Sequence, residues 1–347
     1  MNLFEQMGWL GHEQLVLCSD PSAGYRGIIA IHSTALGPAV GGTRWWVYPS
    51  EEAALVDAIR LSRGMSYKNA LARLPLGGGK SVILGSTGPV DRRAVLRAHG
   101  RFIERLGGLY ITGEDVGTTP DDMEVMAETT RFAAGRSGGS GDPSPHTGRG
   151  VFRAMQAAAA FRWGSDDLRG KSVAIQGCGN VGYHLARQLA AVGARLLVSD
   201  IDPAKVNRIV AEFGATEVAA DRIHTVAADV FAPCALGGIL HDASIGGLRA
   251  AIICGGANNQ LLEPRHGQVL ADKGILYVPD YVANAGGVTY GGSVEVLKVT
   301  PAQAAARVDQ IFETTLMVLE RARAERVPPS EAADRLAEER IRSGKLD

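Results

Sequence analysis

The sequence predicts an α/β protein of two domains. Strand-like apolar runs alternate with helical periodicities along most of the chain. A glycine-rich turn, Gly177-Cys-Gly179-Asn-Val-Gly182, stands between a strand and a helix. A Gly/Ser/Pro-rich run at 135–148 interrupts the alternation and reads as the junction. At 347 residues the chain exceeds one ordinary domain. The first domain is expected over 1–133, with a last helix at 328–347 returning to it, and the second over 134–327.

In the first domain, Gly27-Ile-Ile-Ala-Ile-His32 and Lys80-Ser-Val-Ile-Leu84 read as strands, because β-branched residues fit a pleated, half-buried surface. Residues 50–72 read as a helix. Ser50 offers a capping hydroxyl, and Glu51 and Glu52 sit on the positive end of the dipole. Leu55, Ile59 and Met65 share its inner side, while Asp57 and Arg60 turn outward. Lys68 falls near its C-terminal end, and Lys80 follows Gly77-Gly78-Gly79, read as a loop open to close approach. Such lysines either snorkel, with stems packed and heads in water, or equip a site for a small anion. Tyr110-Ile-Thr112 is a strand, and Gly113-Glu-Asp115-Val-Gly117 ends it. Asp115 is either a capping loop acid or a proton-transfer partner of Lys80.

The second domain opens with a helix from Val151 to about Trp163. The strand 171–176 leads into the glycine turn, the helix 183–192, and a strand, Arg195-Leu-Leu-Val-Ser199, that ends at Asp200. This order is that of a Rossmann dinucleotide site. Gly177 permits the tight turn, Gly179 admits a pyrophosphate, and Gly182 lets helix and sheet pack closely. The helix N-terminus offers amide donors and a positive dipole. Asp200 is placed to accept from ribose hydroxyls and to repel a 2′-phosphate, and no arginine follows it directly, so NAD is expected rather than NADP. The stretches 257–260 and 284–287 read as turns. Thr300, Pro301 and Gln303 start one long helix whose buried stripe continues through Ile311, Thr315, Val318 and Leu319. A break at 327–330 precedes the last amphipathic helix.

Hydrophobic residues are 46% and charged residues 21%, as in a globular protein with full cores. A net charge of −1 gives no reason to expect nucleic acid or an anionic membrane as partner. No apolar run approaches the roughly 20 residues of a membrane span, and no cationic signal-peptide start is visible. Cys18, Cys178, Cys234 and Cys254 are far apart and read as buried residues of a reducing cytoplasm. The eight histidines are scattered, so no metal site is expected.

Six ordered stretches, 37–44, 75–80, 111–119, 231–236, 256–260 and 279–287, together resemble the glutamate/leucine/phenylalanine/valine dehydrogenase family, most closely its leucine branch. The resemblance implies a substrate and oligomerisation domain separated by a cleft from a Rossmann NAD domain. It implies that Lys68 anchors a substrate α-carboxylate, helped by the backbone at Gly41 and Gly42 and by Asn259. Lys80 is then the catalytic lysine and Asp115 the acid that shuttles protons to and from the amino group. Thr147, Asn180, Val181, Ala235, Asn258 and Asn284 fall on positions that line NAD. The implied reaction is reversible oxidative deamination of an L-amino acid to a 2-oxo acid and ammonia. Within it, Lys68 is expected to lower the pKa of Lys80 as a nearby cation, and burial acts in the same direction.

Against the leucine branch, Val40 replaces leucine, Gly113 alanine and Gly291 valine, while Val288 matches. Less side-chain volume implies a pocket for a phenylalanine- or tryptophan-sized side chain, unless Trp45 or Tyr290 refills it and keeps the substrate branched-chain. His146 replaces an apolar residue beside Thr147 and is placed to touch the cofactor. The chain stops short of the tails of octameric relatives, so a homodimer is expected. A 2-hydroxy acid dehydrogenase would need a His/Asp/Arg constellation that is not found. A non-catalytic NAD sensor would not need Lys68, Lys80 and Asp115 together.

Overall fold

The computed structural model describes residues 3–346 and divides into two units, each with its own sheet. Met1, Asn2 and Asp347, which the sequence reading assigned to the first domain, lie outside the described residues.

Among the described residues the first unit comprises 3–141, 291–299 and 337–346. Its strands are β1 (Gln14–Asp20), β2 (Tyr25–Ser33), β3 (Ala39–Trp46), β4 (Gly77–Leu84) and β5 (Tyr110–Glu114), in the order β1-β2-β4-β3-β5. β3 is parallel to both β4 and β5, while β1–β2 and β2–β4 are antiparallel. Helices α1 (Leu3–Leu10), α2 (Glu51–Leu71), α3 (Arg92–Arg105) and α4 (Pro120–Ala127) cover it. The alternation along β2 shows two buried faces. Ile28 and Ala30 pack with Ala54, Ala58 and Ile59 of α2, while Ile29 and Ile31 join Leu96, Ile103, Tyr110 and Met123 on the other side. The Ser50 hydroxyl accepts from the Ala53 N–H and starts α2 as the sequence reading expects.

Gly77, Gly78 and Gly79 lie inside β4, not in a loop before it. What approaches them is protein. A Cβ on Gly78 would collide with Ser66 of α2, and one on Gly79 would stand 2.7 Å from the Tyr110 ring. The glycines seat a helix and an aromatic ring against the sheet.

The second unit comprises residues 142–290 and 300–336. Its strands β6 (Ser172–Gln176), β7 (Arg195–Ser199), β8 (Thr216–Glu217), β9 (Val230–Pro233), β10 (Ile252–Ile253) and β11 (Leu276–Tyr277) pair in parallel, in the order β8-β7-β6-β9-β10-β11. That is the doubly wound Rossmann order, and its switch point lies between β6 and β9. Helices α5 (Ser144–Trp163), α6 (Asn180–Ala191) and α7 (Pro203–Phe213) belong to this unit.

Three boundaries differ from the sequence reading. α5 starts at Ser144, inside the supposed junction: Asp142 accepts from the Ser144 N–H, and Pro145 is tolerated in a first turn. Its Gly148 is a packing position, where a Cβ would stand 2.9 Å from His184 Cβ on α6. The helix from Thr300 has the expected capping box but ends at Asp309, and a tight turn at Gln310 separates it from Ile311–Glu325. There Asp309 is held by Arg149 of α5 at 2.6 and 2.7 Å. Finally, the unit division falls after Gly141 and returns 291–299 to the first unit. On that segment a π-helical turn, Gly292–Val296, carries Glu295, which accepts from the Gly135 N–H at 2.5 Å and the Ser140 N–H at 2.9 Å. The last helix, Pro329–Ser343, is divided too. Asp334 meets Tyr281 in the second unit, while Glu338 takes the Tyr67 hydroxyl at 2.6 Å in the first.

Candidate active site

Along β3, β4 and β5 the period of two sorts the polar side chains. Thr43, Ser81 and Thr112 turn to the α3 side, where Thr43 bonds Ser81 at 2.7 Å and Thr112 at 2.6 Å, and His99 closes the cluster at 2.9 Å from Ser81. Burial drives the His99 imidazole down to about 3, so it is neutral there. Lys80 turns the other way. Its side chain is 5% exposed, and its Nζ lies 2.9 Å from Asp115 Oδ1, just past β5. A lysine this buried does not snorkel. Asp115 does not cap a helix either, because α4 is capped by Thr119 in a box with Asp122.

The second oxygen of Asp115 is also taken. Arg44 on β3 donates from Nε to Asp115 Oδ2 at 2.8 Å and from Nη1 to Asp57 Oδ2 at 2.8 Å. Tyr48 donates to the same Asp57 oxygen at 2.6 Å. Asp57 is therefore not turned outward; it is a half-buried anchor on α2. Burial lowers the pKa of Lys80, and the Arg44 charge acts in the same direction against the opposing carboxylates of Asp115 and Asp57. Burial alone would raise Asp115, but the Lys80 and Arg44 charges overcome it and hold that carboxyl below its ordinary value.

Lys68 lies half-buried in the last turn of α2. Gly41 is pressed against the Gly79 carbonyl, and its own carbonyl accepts from the Tyr110 hydroxyl at 2.6 Å. A Cβ on Gly42 would stand 2.9 Å from Asp115 Cβ, so this glycine lets the carboxylate settle against β3. Val40 pairs with Ile111, and Gly42 with Gly113. A Cβ on Gly113 would meet nothing closer than the Ala134 carbonyl at 3.9 Å, and one on Gly291 would reach Ser140 Oγ at 3.4 Å. Trp45 is engaged elsewhere, under the Arg92 guanidinium at 4.4 Å.

In the second unit the three loop glycines have three different surroundings. At Gly177, with φ +100, a Cβ would stand 2.8 Å from the Ala235 N–H nitrogen, because the loops after β6 and β9 touch at the switch point. At Gly182 it would strike the Gly177 carbonyl. At Gly179 nothing lies within 4 Å, and α6 starts there with no side-chain cap. An open position at an uncapped helix N-terminus fits a phosphate. Asn180 and Val181 form that first turn. Asp200 directly follows β7 and accepts from the Cys178 N–H at 2.6 Å and the Asp202 N–H at 2.9 Å, so the carboxylate first holds the glycine loop itself.

Asn284 is buried where two short helices join, not in an open turn. It donates to Asn258 Oδ1 at 2.7 Å, and its own Oδ1 is buried with no partner among the described residues. Asn259 is exposed with φ +52, Ala235 is exposed beyond β9, and Val288 is half-buried in the helix Gly286–Gly291. Thr147 donates to the Pro143 carbonyl. The His146 ring stacks on Tyr290 with centroids 3.4 Å apart, so both side chains are committed to each other on one face. All four cysteines are free thiols. Among the described residues no His/Cys/Asp/Glu cluster suits a metal ion, and no helix is long and apolar enough to cross a membrane.

The first unit thus brings together Lys80, Asp115 and Gly42, with Arg44, Asp57 and Tyr48, which the sequence reading missed. Asn259, Val288 and the dinucleotide residues belong to the second unit.

Comparison with known proteins places the chain in a family. Residues 12–132 match the family profile described as Glu/Leu/Phe/Val dehydrogenase, dimerisation domain. Residues 138–208 and 198–343 match the one described as Glutamate/Leucine/Phenylalanine/Valine dehydrogenase. The chain is 51% identical over 344 residues to the leucine dehydrogenase of Geobacillus stearothermophilus, spanning 98% of this chain and 94% of that one. It is 47% identical over 337 residues to the valine dehydrogenase of Streptomyces virginiae, spanning 95% and 94%. The crystal structure of L-tryptophan dehydrogenase from Nostoc punctiforme superposes with a TM-score of 0.90 at 46% identity, covering 98% of this chain and 99% of that one.

Proposed function

The chain belongs to the glutamate/leucine/phenylalanine/valine dehydrogenase family and is an amino acid dehydrogenase, and we propose that it carries out the NAD-dependent oxidative deamination of bulky apolar or aromatic L-amino acids. The observation that carries this reading is the buried pair of Lys80 and Asp115 at 2.9 Å. In the proposed chemistry Lys68, with the backbone at Gly41 and Gly42, holds the α-carboxylate. Lys80 in its neutral form takes a proton from water as that water attacks the imine carbon. Asp115 relays that proton from Lys80 to the nitrogen, and the C–N bond breaks as Lys80, neutral again, takes the hydroxyl proton, which leaves the 2-oxo acid and ammonia. While it carries the water proton, Lys80 also stabilises the developing carbinol oxygen.

The open Gly179 position, the uncapped turn at Asn180 and Val181, and the orphan Asn284 acceptor suit a nicotinamide dinucleotide, with Thr147, Ala235 and Asn258 assigned beside them. When bound, NAD supplies the acceptor for the hydride that leaves the substrate Cα. Asp200 supports NAD over NADP, since a carboxylate already fixed by the loop repels a 2′-phosphate.

The substrate assignment rests on the space at Gly113 and Gly291, with Val40 as the third pocket residue of the same unit. A second reading, a branched-chain substrate, is favoured by the identity to leucine and valine dehydrogenases. One methylene in such a pocket changes selectivity by only about 1–3 kcal/mol. The dimerisation profile over 12–132 supports a homodimer, and four free thiols support a reducing, cytoplasmic setting.

The test is a panel of twenty L-amino acids with NAD and with NADP, together with ammonia-dependent oxidation of NADH by the matching 2-oxo acids. Phenylalanine or tryptophan should rank first, with NAD preferred. If no 2-oxo acid supports ammonia-dependent oxidation, the reaction is refuted. If valine far exceeds phenylalanine, the branched-chain reading replaces the aromatic one.

A further inference from the structure

We infer that Arg44 is a positioning residue of this reaction: it fixes Asp115 on Lys80 and, as a cation sharing that carboxylate, sets how readily Lys80 gives up its proton. The inference rests on the proposed role of Lys80 as base. Asp115 has two oxygens and each has one cationic partner, Lys80 Nζ at 2.9 Å and Arg44 Nε at 2.8 Å. A carboxylate gripped from both sides cannot rotate freely, so Oδ1 stays aimed at the amine. Arg44 is itself held. Its Nη1 meets Asp57 at 2.8 Å, and the Tyr48 hydroxyl braces Asp57 at 2.6 Å. Two donor directions from one planar group serve two carboxylates at once, which a lysine ammonium does not reproduce.

The electrostatics point the same way. The groups acting on Lys80 are Asp115 beyond β5, Arg44 on β3 and Asp57 on α2. After burial, the Arg44 charge favours the neutral amine, while both carboxylates oppose it. A guanidinium stays charged throughout the working pH range.

The experiment measures kcat and KM for the best amino acid across pH, with melting temperature, for the wild type, Arg44→Met and Arg44→Lys. Lys80→Ala is run in parallel. Arg44→Met should lower kcat about 10- to 100-fold, as expected for a misplaced proton carrier. KM should change little, and the acidic limb should move to higher pH, because losing a cation lets Lys80 hold its proton longer. Arg44→Lys should return the limb towards the wild-type position without restoring the full rate. A folded Arg44→Met with an unmoved limb overturns the inference. So does an Arg44→Lys that matches the wild type in rate, or one that alters only KM; these hold even if Arg44→Met fails to fold. If Lys80→Ala keeps full activity, the fault lies in the proposed reaction instead.

Discussion

At Asp115 two opposing effects act on one carboxyl. Burial raises its pKa, while Lys80 and Arg44 on opposite oxygens lower it, and the cations prevail. A carboxyl depressed in the folded state contributes stability above its unfolded pKa and loses it as pH falls through the folded one. The wild type should therefore show an acid-side drop in melting temperature beginning near pH 4, and Asp115→Asn should flatten that part of the curve. Scanning calorimetry from pH 7 to pH 2 checks this; equal acid slopes in the two proteins contradict it. The importance of Lys80 was legible in the sequence, because an amine amid apolar residues calls for a partner. Arg44 and Asp57 were not legible. They meet only because α2 lies over one particular face of β3, and no local periodicity tells which face that is.

At the scale of elements, the glycines divide into those that admit protein and those that face open space. Gly41 belongs to the first kind, and Gly41→Ala should destabilise by about 1–3 kcal/mol or more, read as a lower melting temperature and poor soluble yield. Gly179 belongs to the second. Gly179→Ala should leave the melting temperature unchanged and raise KM for NAD about 5- to 50-fold, as for one or two lost charge-assisted hydrogen bonds. A destabilised Gly179→Ala with normal KM would reverse that assignment. Glycine clusters were easy to find in the sequence, but their purpose was not. The triple glycine reads as a ligand-facing loop until Ser66 and Tyr110 are seen against it. The Rossmann elements were legible because strand, loop, helix and acid follow one another locally. The early start of α5 was hidden by the Pro and Gly residues that its first turns tolerate and its packing needs.

At the scale of the whole molecule, each unit carries one part of the chemistry: the first the charged pair, the second the dinucleotide loop. Substrate choice is assigned to Gly113 and Gly291 of the first unit, so Gly113→Ala should fold normally and shift kcat/KM towards leucine over phenylalanine by about tenfold. An unchanged ratio would remove Gly113 from the pocket. The whole account depends on Lys80 acting on the substrate and not merely balancing a buried carboxylate. Steady-state kcat/KM of Lys80→Ala for the best amino acid, on protein shown to be folded by circular dichroism, decides this directly. The account predicts a loss of at least about 100-fold; a folded Lys80→Ala within about threefold of the wild type would contradict it.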